Sequence, residues 1–275
     1  MLVHTFVHIP GVGYHTEEAL WRLGARTWYD LLAGAYREVP CAHVLPFVAE
    51  SVERLAEGDA PYFDCRLPSR ERWRLLPDFL DRACFLDIET TGLSPGYDPI
   101  TVVGLYDGRE YRAFVRGFNL HLLPEALARY RLVVTYNGLR FDARFIEAHF
   151  GPVLRHMAHL DVMYPLRRLG IRGGLKAIEQ RLGLARDDDL QGLSGYDAVL
   201  LWREYERGRT SALETLVRYN AEDVVALPAL AVLAYNLLAA AVPVAPPRLP
   251  PLPRPHLDLP YDRALVARLR ARHLE

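Results

Sequence analysis

The stretch CFLDIETTGLSPG, residues 84–96, ends an apolar run with two carboxylates, Asp87 and Glu89, and follows them with two threonines and a glycine. Side chains alternate along a strand, so Asp87 and Glu89 share one face while Ile88 takes the other. Two acids on one face repel, and burying them is costly without a partner. Hard carboxylate oxygens in this arrangement suit Mg²⁺ or Mn²⁺. An isolated Asp-x-Glu at a strand end is usually just a pair of solvated acids, so the decision rests on what accompanies it.

Two further segments add acids. In LVVTYNGLRFDARF, Asn137 and Gly138 follow a strand, and Asp142 falls in the first turn of the next helix. The helix dipole alone would favour an acid there. In LVRYNAEDVVAL, Tyr219 and Asp223 form an i,i+4 pair on a helix face continued by apolar residues. A phenol and a carboxylate thus point inward, while Glu222 falls on the exposed side. Asp161, in HLDVM, ends another strand, as an outer acid of the same rim or as a turn cap. The segment RRLGIRGGLK sets Arg167, Arg168, Arg172 and Lys176 around glycines before a helix. That composition suits a phosphate-contacting element or an ordinary solvated loop. Of 33 basic residues only Lys176 is a lysine. Arginine codons replacing lysine codons in a GC-rich gene are one reading of that bias, and under it the retained lysine points to a place where a compact ammonium is wanted and a guanidinium is not.

The elements that must position these residues are legible in outline. CFLDIE, ITVVGLYD and EYRAFVR read as three strands joined by Gly/Pro/Asp turns, an antiparallel meander. A helix around 123–130, the strand RLVVTY, a helix over 140–149, the strand HLDVMY and helices through 174–238 follow. The pattern gives an α/β fold, a mixed sheet with helices packed on it. Before it, residues 1–81 form a small helical module and connector. In the module PGVG precedes a helix capped by Thr16, a second helix starts near Thr27, and a polar, proline-punctuated stretch follows. After residues 82–240, the segment 241–275 is a proline-rich linker of polyproline character with a short arginine-rich helix. A PxxP ligand for a partner protein is one reading of this tail, and a stiff spacer laying the last helix on the body is the other.

Together the three acidic segments resemble the DEDD (DnaQ-like) superfamily of metal-dependent 3′–5′ exonucleases, which has a ribonuclease H-like fold. DIETTGL is similar to its first motif, YNGLRFD to its second, and YNAED to the third in the tyrosine variant. The likeness runs over residues 84–236. GGLKAIEQRLG and LWREYERG are similar to the YprB-type ribonuclease H-like domain proteins. The resemblance implies catalysis by Asp87, Glu89, Asp142, Tyr219 and Asp223 with two divalent ions, Mg²⁺ or Mn²⁺, about 4 Å apart. Asp87, Glu89 and Asp223 are expected to hold the ion at the attacking water, Asp87 and Asp142 the ion at the leaving oxygen. Tyr219 would orient the water. Thr90, Thr91, Leu93 and Asn137 are expected to hold the terminal nucleotide, with Arg172 and Lys176 on phosphate. The implied substrate is the 3′ end of single-stranded DNA, in preference to RNA. PGVG resembles the hairpin of a helix-hairpin-helix motif, but too few residues precede it for a full first helix, which favours a packing role.

The bulk numbers limit other readings. Net charge is −1, so any nucleic-acid site is a local patch. Cys41, Cys65 and Cys84 form no CxxC pair, which argues against a disulfide framework or structural zinc and fits a reducing cytosol. Residues 226–245 are nearly long enough to span a bilayer, but Pro228, Asn236 and Pro243 interrupt them, so a buried helix is expected. The competing functions are a binding module of the same fold without turnover, an endonuclease, and a scaffold acting through the tail.

Overall fold

The computed structural model describes residues 1–34, 43–184, 190 and 192–272. Cys41 and the last residues of the C-terminal arginine-rich helix lie outside them. Cys65 and Cys84 are free thiols.

The N-terminal module contains α1 (Tyr14–Arg22), α2 (Trp28–Leu32), α3 (Leu45–Glu57), α4 (Ala60–Arg66) and α5 (Leu76–Phe79). One sequence expectation fails here. Thr16 does not cap α1, because the extended Gly13 takes the N-cap position three residues before it. From Leu45 onward the proline-punctuated stretch is largely helical. Pro46, Pro61 and Pro77 sit at the first or second positions of α3, α4 and α5, where the missing N–H costs nothing. The second helix does start as read, with Thr27 and Asp30 forming a capping box.

The sheet is built from β1 (Ala83–Thr90), β2 (Ile100–Tyr106), β3 (Tyr111–Val115), β4 (Leu132–Thr135) and β5 (Ala158–Asp161), in the order β3-β2-β1-β4-β5. β1, β2 and β3 pair antiparallel, whereas β4 and β5 run parallel to β1. The acidic strand is therefore central. Cys84, Leu86, Ile88, Val103 and Leu105 face α6 (Leu123–Leu127) and α7 (Asp142–Phe150). Phe85, Val134 and Leu160 join the opposite core, which runs without a break into Trp28, Phe63 and Trp73 of the module.

The remaining helices are α8 (Met163–Arg168), α9 (Leu175–Leu182), α10 (Gly195–Glu206), α11 (Thr210–Ala239) and α12 (Arg263–Ala271). By length and composition α11 could cross a bilayer, but the sheet, the module and the tail cover it. A helix apolar on all sides is what such a central position requires. Buried ion pairs tie the module down. Arg74 contacts Glu17 at 2.8 Å and Glu71 at 2.9 Å, and Arg168 of α8 reaches Glu71 at 2.7 Å. Arg168 thus serves the module.

The proline-rich segment lies along α11 as a strap. A polyproline backbone makes no internal hydrogen bonds, so α11 bonds it from outside. Tyr235 Oη donates to the Pro247 carbonyl at 2.8 Å, and Asn236 exchanges two hydrogen bonds with Leu249. Arg218 donates to the Leu257 carbonyl at 2.7 Å. Glu222, expected on an exposed face, is buried because the strap covers that face. It pairs with Arg218 at 2.8 Å and with Arg254 of the strap.

Candidate active site

Asp87 and Glu89 project from the end of β1 toward α11, and the space they enter is made by a glycine. Gly104 of β2 lies opposite Asp87 in the ladder. A Cβ there would stand 1.9 Å from Asn220 Oδ1 and 2.9 Å from Val224 Cγ2. The bare backbone lets Asn220 reach under β1, where its Nδ2 donates to Asp87 Oδ2 at 3.1 Å and the Asp87 carbonyl at 3.2 Å. Glu89 Oε1 is 3.5 Å from the same nitrogen. Asn220 Oδ1 in turn accepts from Tyr111 Oη at 3.0 Å. One turn after Tyr219, Asp223 completes the group: carboxylate oxygens of Asp87, Glu89 and Asp223 all lie within 4.8 Å of one another.

Burial pushes the Asp87 carboxyl well above its ordinary range, and the charges of Asp142, Glu89 and Asp223 push it further. Glu89 is raised by burial and then by Asp223, with Lys176 and the Asn220 amide opposing. Asp142 opens α7 and accepts from the Ile88 amide at 3.1 Å. Burial lifts it to about 7, against the pull of its backbone hydrogen bonds. Buried, clustered, all-oxygen acids of one sign match the donor set of a hard divalent cation, and one amide cannot neutralise them.

Lys176, in the first turn of α9, donates to both Tyr219 Oη and the Leu193 carbonyl, and its Nζ stands 4.1 Å from the Tyr219 ring centroid. The sequence reading sends this lysine to a phosphate; the structure sets it on the tyrosine. Accepting from the ammonium leaves the phenol its own proton to donate.

The acids floor an open cleft of about 560 Å³. Thr90, Thr91, Leu93 and Asn137 line it. A bulge between Glu89 and Thr90 turns the strand, the Thr90 hydroxyl donates to the Gly92 carbonyl at 2.5 Å, and Leu93 is 82 % exposed. Asn137 has a positive φ of 62°. Asp161 holds that turn, accepting from the amides of Asn137 at 2.7 Å, Leu139 at 3.2 Å and Met163 at 3.1 Å. Of its two sequence readings the cap is the one the structure contains. Arg172 is not among the cleft residues; with Arg167 and Gly173 it lines a separate depression. Tyr196 and Arg203 of α10 line the cleft without having been singled out in the sequence. Gly104, Asn220 and Tyr111 were also missed. The available signal was a glycine inside a strand, which marks a close approach of another group.

Replacing Asp161 by alanine leaves three amides without an acceptor, each worth about 1–3 kcal/mol when buried. The expected result is a lower melting temperature and weaker Asp142-dependent activity. Asp161→Asn, which keeps an acceptor, should lose clearly less of both. Equal losses in the two variants, by thermal melt and by rate, would refute the capping role.

A five-stranded mixed sheet in this order, flanked by helices and with a carboxylate cluster at the end of its central strand, is a ribonuclease H-like α/β fold. A family model of the RNase_H superfamily matches residues 84–235, more than half of the chain, and the chain belongs to that superfamily. No curated protein matches it. Similar solved structures are matched at low identity. The family B DNA polymerase of the archaeon Pyrobaculum calidifontis is 15 % identical over 59 % of this chain and 26 % of that one, with a TM-score of 0.43. The chain therefore spans about a quarter of that polymerase's length. The apo form of a nuclease is 21 % identical over 75 % of this chain and 87 % of that one, TM-score 0.41. Brucella melitensis NrnC with bound Mg²⁺ is 19 % identical over 72 % and 86 %, TM-score 0.37.

Proposed function

We propose that the chain is a metal-dependent 3′–5′ exonuclease of the tyrosine DEDD type, acting on single-stranded nucleic acid. The observation that carries this reading is the joint placement of four acids, Glu89, Asp142 and Asp223 buried and Asp87 half-buried. Asp87, Glu89 and Asp223 cluster within 4.8 Å, with Asp142 bonded to the strand between the first two. Tyr219, on the same helix as Asp223, faces the same cleft. Asp87, Glu89 and Asp223 would hold one Mg²⁺ or Mn²⁺, and Asp142 with Asp87 a second. Bound there, the ions supply the positive charge that activates water and offsets charge on the leaving oxygen.

The chain's own residues do the rest. Tyr219, held by Lys176, has a hydroxyl proton to donate to an oxygen at the scissile phosphate. Asn220 fixes the Asp87 and Glu89 carboxylates in the direction the cations need. Hydrolysis adds water across the last P–O3′ bond, giving a nucleoside 5′-monophosphate and a strand one residue shorter with a free 3′-hydroxyl. The exposed Leu93 and Tyr196 flank the cleft. They suit an unpaired terminal base, which has an open face to stack on.

The test uses 5′-labelled single-stranded DNA and RNA of one sequence, with Mn²⁺, Mg²⁺ or EDTA. A ladder shortening from the 3′ end and abolished by EDTA is expected, and its rates choose the sugar. Discrete internal products would replace the exonuclease with an endonuclease. No cleavage while metal still stabilises the protein would leave a binding module.

A further inference from the structure

Outside the acid cleft, positive charge gathers where the C-terminal helix meets α10. From Arg263 to Arg272 the chain reads RALVARLRAR, basic residues without an acid. Leu265, Val266 and Leu269 are buried against α10 and α11, which forces Arg268 and Arg272 outward. They form one wall of a groove of about 530 Å³, floored by Leu265 and Leu269. Arg203 and Arg207 of α10 form the other wall. Among the described residues the one acid lining the groove, Glu204, already bonds Arg207 at 2.9 Å and contacts Arg209 at 3.4 Å. Among the described residues no carboxylate lies within ion-pair distance of Arg203, Arg268 or Arg272. In a chain of net charge −1 this is a local excess, and such an excess is costly unless an anion shares the surface.

The groove is continuous with the candidate active site. Arg203 lines both, and the α10 stripe Tyr196, Val199, Arg203 and Arg207 follows helical spacing from one to the other. An exposed aromatic residue at the cleft followed by guanidinium groups is the arrangement that tracks a single strand, stacking for bases and charge for backbone. Arg268 and Arg272, i and i+4 on α12, stand about 6 Å apart along the helix and repeat charge in the same direction.

We infer that the groove between α10 and α12 carries the phosphate backbone of the strand upstream of the terminal nucleotide, entering the cleft past Arg203. The inference rests on the nuclease reading for its direction, since the 3′ end must lie at the acids. It gives the C-terminal helix a substrate-binding role and makes grip depend on strand length: a dinucleotide fits within the cleft, while a long strand also reaches Arg268 and Arg272.

The test measures binding apart from hydrolysis. Full-length protein and the double variant Arg268→Gln/Arg272→Gln are titrated in EDTA against a labelled long oligonucleotide and a labelled dinucleotide, over salt from about 50 to 200 mM. The double variant should bind the long strand roughly tenfold more weakly. The slope of log K against log salt should flatten by about 1.4, two contacts at ~0.7 each for single strands. Dinucleotide affinity and the melting temperature should stay unchanged. Arg172→Ala, whose depression lies outside the cleft, should leave the slope alone. An unchanged slope in the double variant, an equal loss with the dinucleotide, or a loss confined to Arg172→Ala would overturn the groove assignment. If the wild type binds with the expected length and salt dependence but cleaves nothing in Mn²⁺, the catalytic reading falls and the groove stands.

Discussion

Asp87→Asn is expected to abolish hydrolysis, by on the order of 10³-fold or more, and at the same time to make the metal-free protein more stable at neutral pH. The first effect follows from losing the carboxylate shared between the proposed metal positions, where each ~1.4 kcal/mol of transition-state charge stabilisation is a factor of ten. The second follows from burial. Asp87, Glu89 and Asp142 all carry pKa values raised in the folded state, Asp142 to about 7 from an ordinary 3.8. Between about pH 4 and 7 the native protein therefore holds more protons than the unfolded chain, and its stability falls as pH rises. Below that window the contribution is fully kept. Removing one charge removes part of the slope, and each kcal/mol recovered is worth about 2–4 °C in melting temperature.

Divalent metal acts in the opposite sense. It binds the deprotonated acids, so stabilisation by Mn²⁺ should grow from pH 5 to 8, reaching ~2.7 kcal/mol at a hundredfold excess over Kd. Asp87→Asn should show little of it. Melts in EDTA and in Mn²⁺ across pH decide the matter. A wild-type curve flat in pH, or a variant that Mn²⁺ still stabilises fully, would remove the metal centre from the account.

Gly104→Ala should damage the site without touching an acid. Its methyl group would meet Asn220 Oδ1 at 1.9 Å, and both partners lie in packed backbone, one in the sheet and the other on α11. Something must move, and overpacking of this kind costs about 1–3 kcal/mol. Displacing α11 separates Asp223 from Asp87 and Glu89, while displacing only the Asn220 side chain releases both β1 carboxylates and leaves Tyr111 Oη without one of its acceptors. Either route lowers activity and raises the Mn²⁺ needed for half-maximal rate. Asn220→Ser in the Gly104→Ala background should recover stability but not rate. If the double variant is less stable than the sum of the single changes, the close contact is not what Gly104 serves.

How far the chain could be read before folding depended on how local each signal was. The central strand, the meander and the parallel units are written in runs of apolar residues with turn residues between them. Asp87, Glu89 and Asp223 were legible because alternation and helical spacing give each a face. Glu222 was misread for the same reason: periodicity places it on an outer face, and nothing local says that Arg254, from the strap, will cover it. Asn220 escaped notice because its partners, Gly104 and Tyr111, lie on two other elements. Lys176 stood out by composition, yet its partner is a phenol carried by another helix. Arg172 and Arg168 share one segment and end in different surroundings, a depression and an ion pair to the buried Glu71, which only the packing of α8 against the module decides.

The strap has a consequence for how the protein is made. Ribosomes deliver α11 first, and its outward face stays bare until residues 247–259 have followed. During that interval Glu222 and Arg218 lack their later cover, and the exposed stretch is available to chaperones or to aggregation. A ribosome stalled just after α11 would thus hold a chain bearing Asp87, Glu89, Asp142 and Asp223 and still missing the strap over α11. Covering that face is the work of the strap, so the carboxylates of the candidate site are all in the chain before the opposite side of α11 is closed.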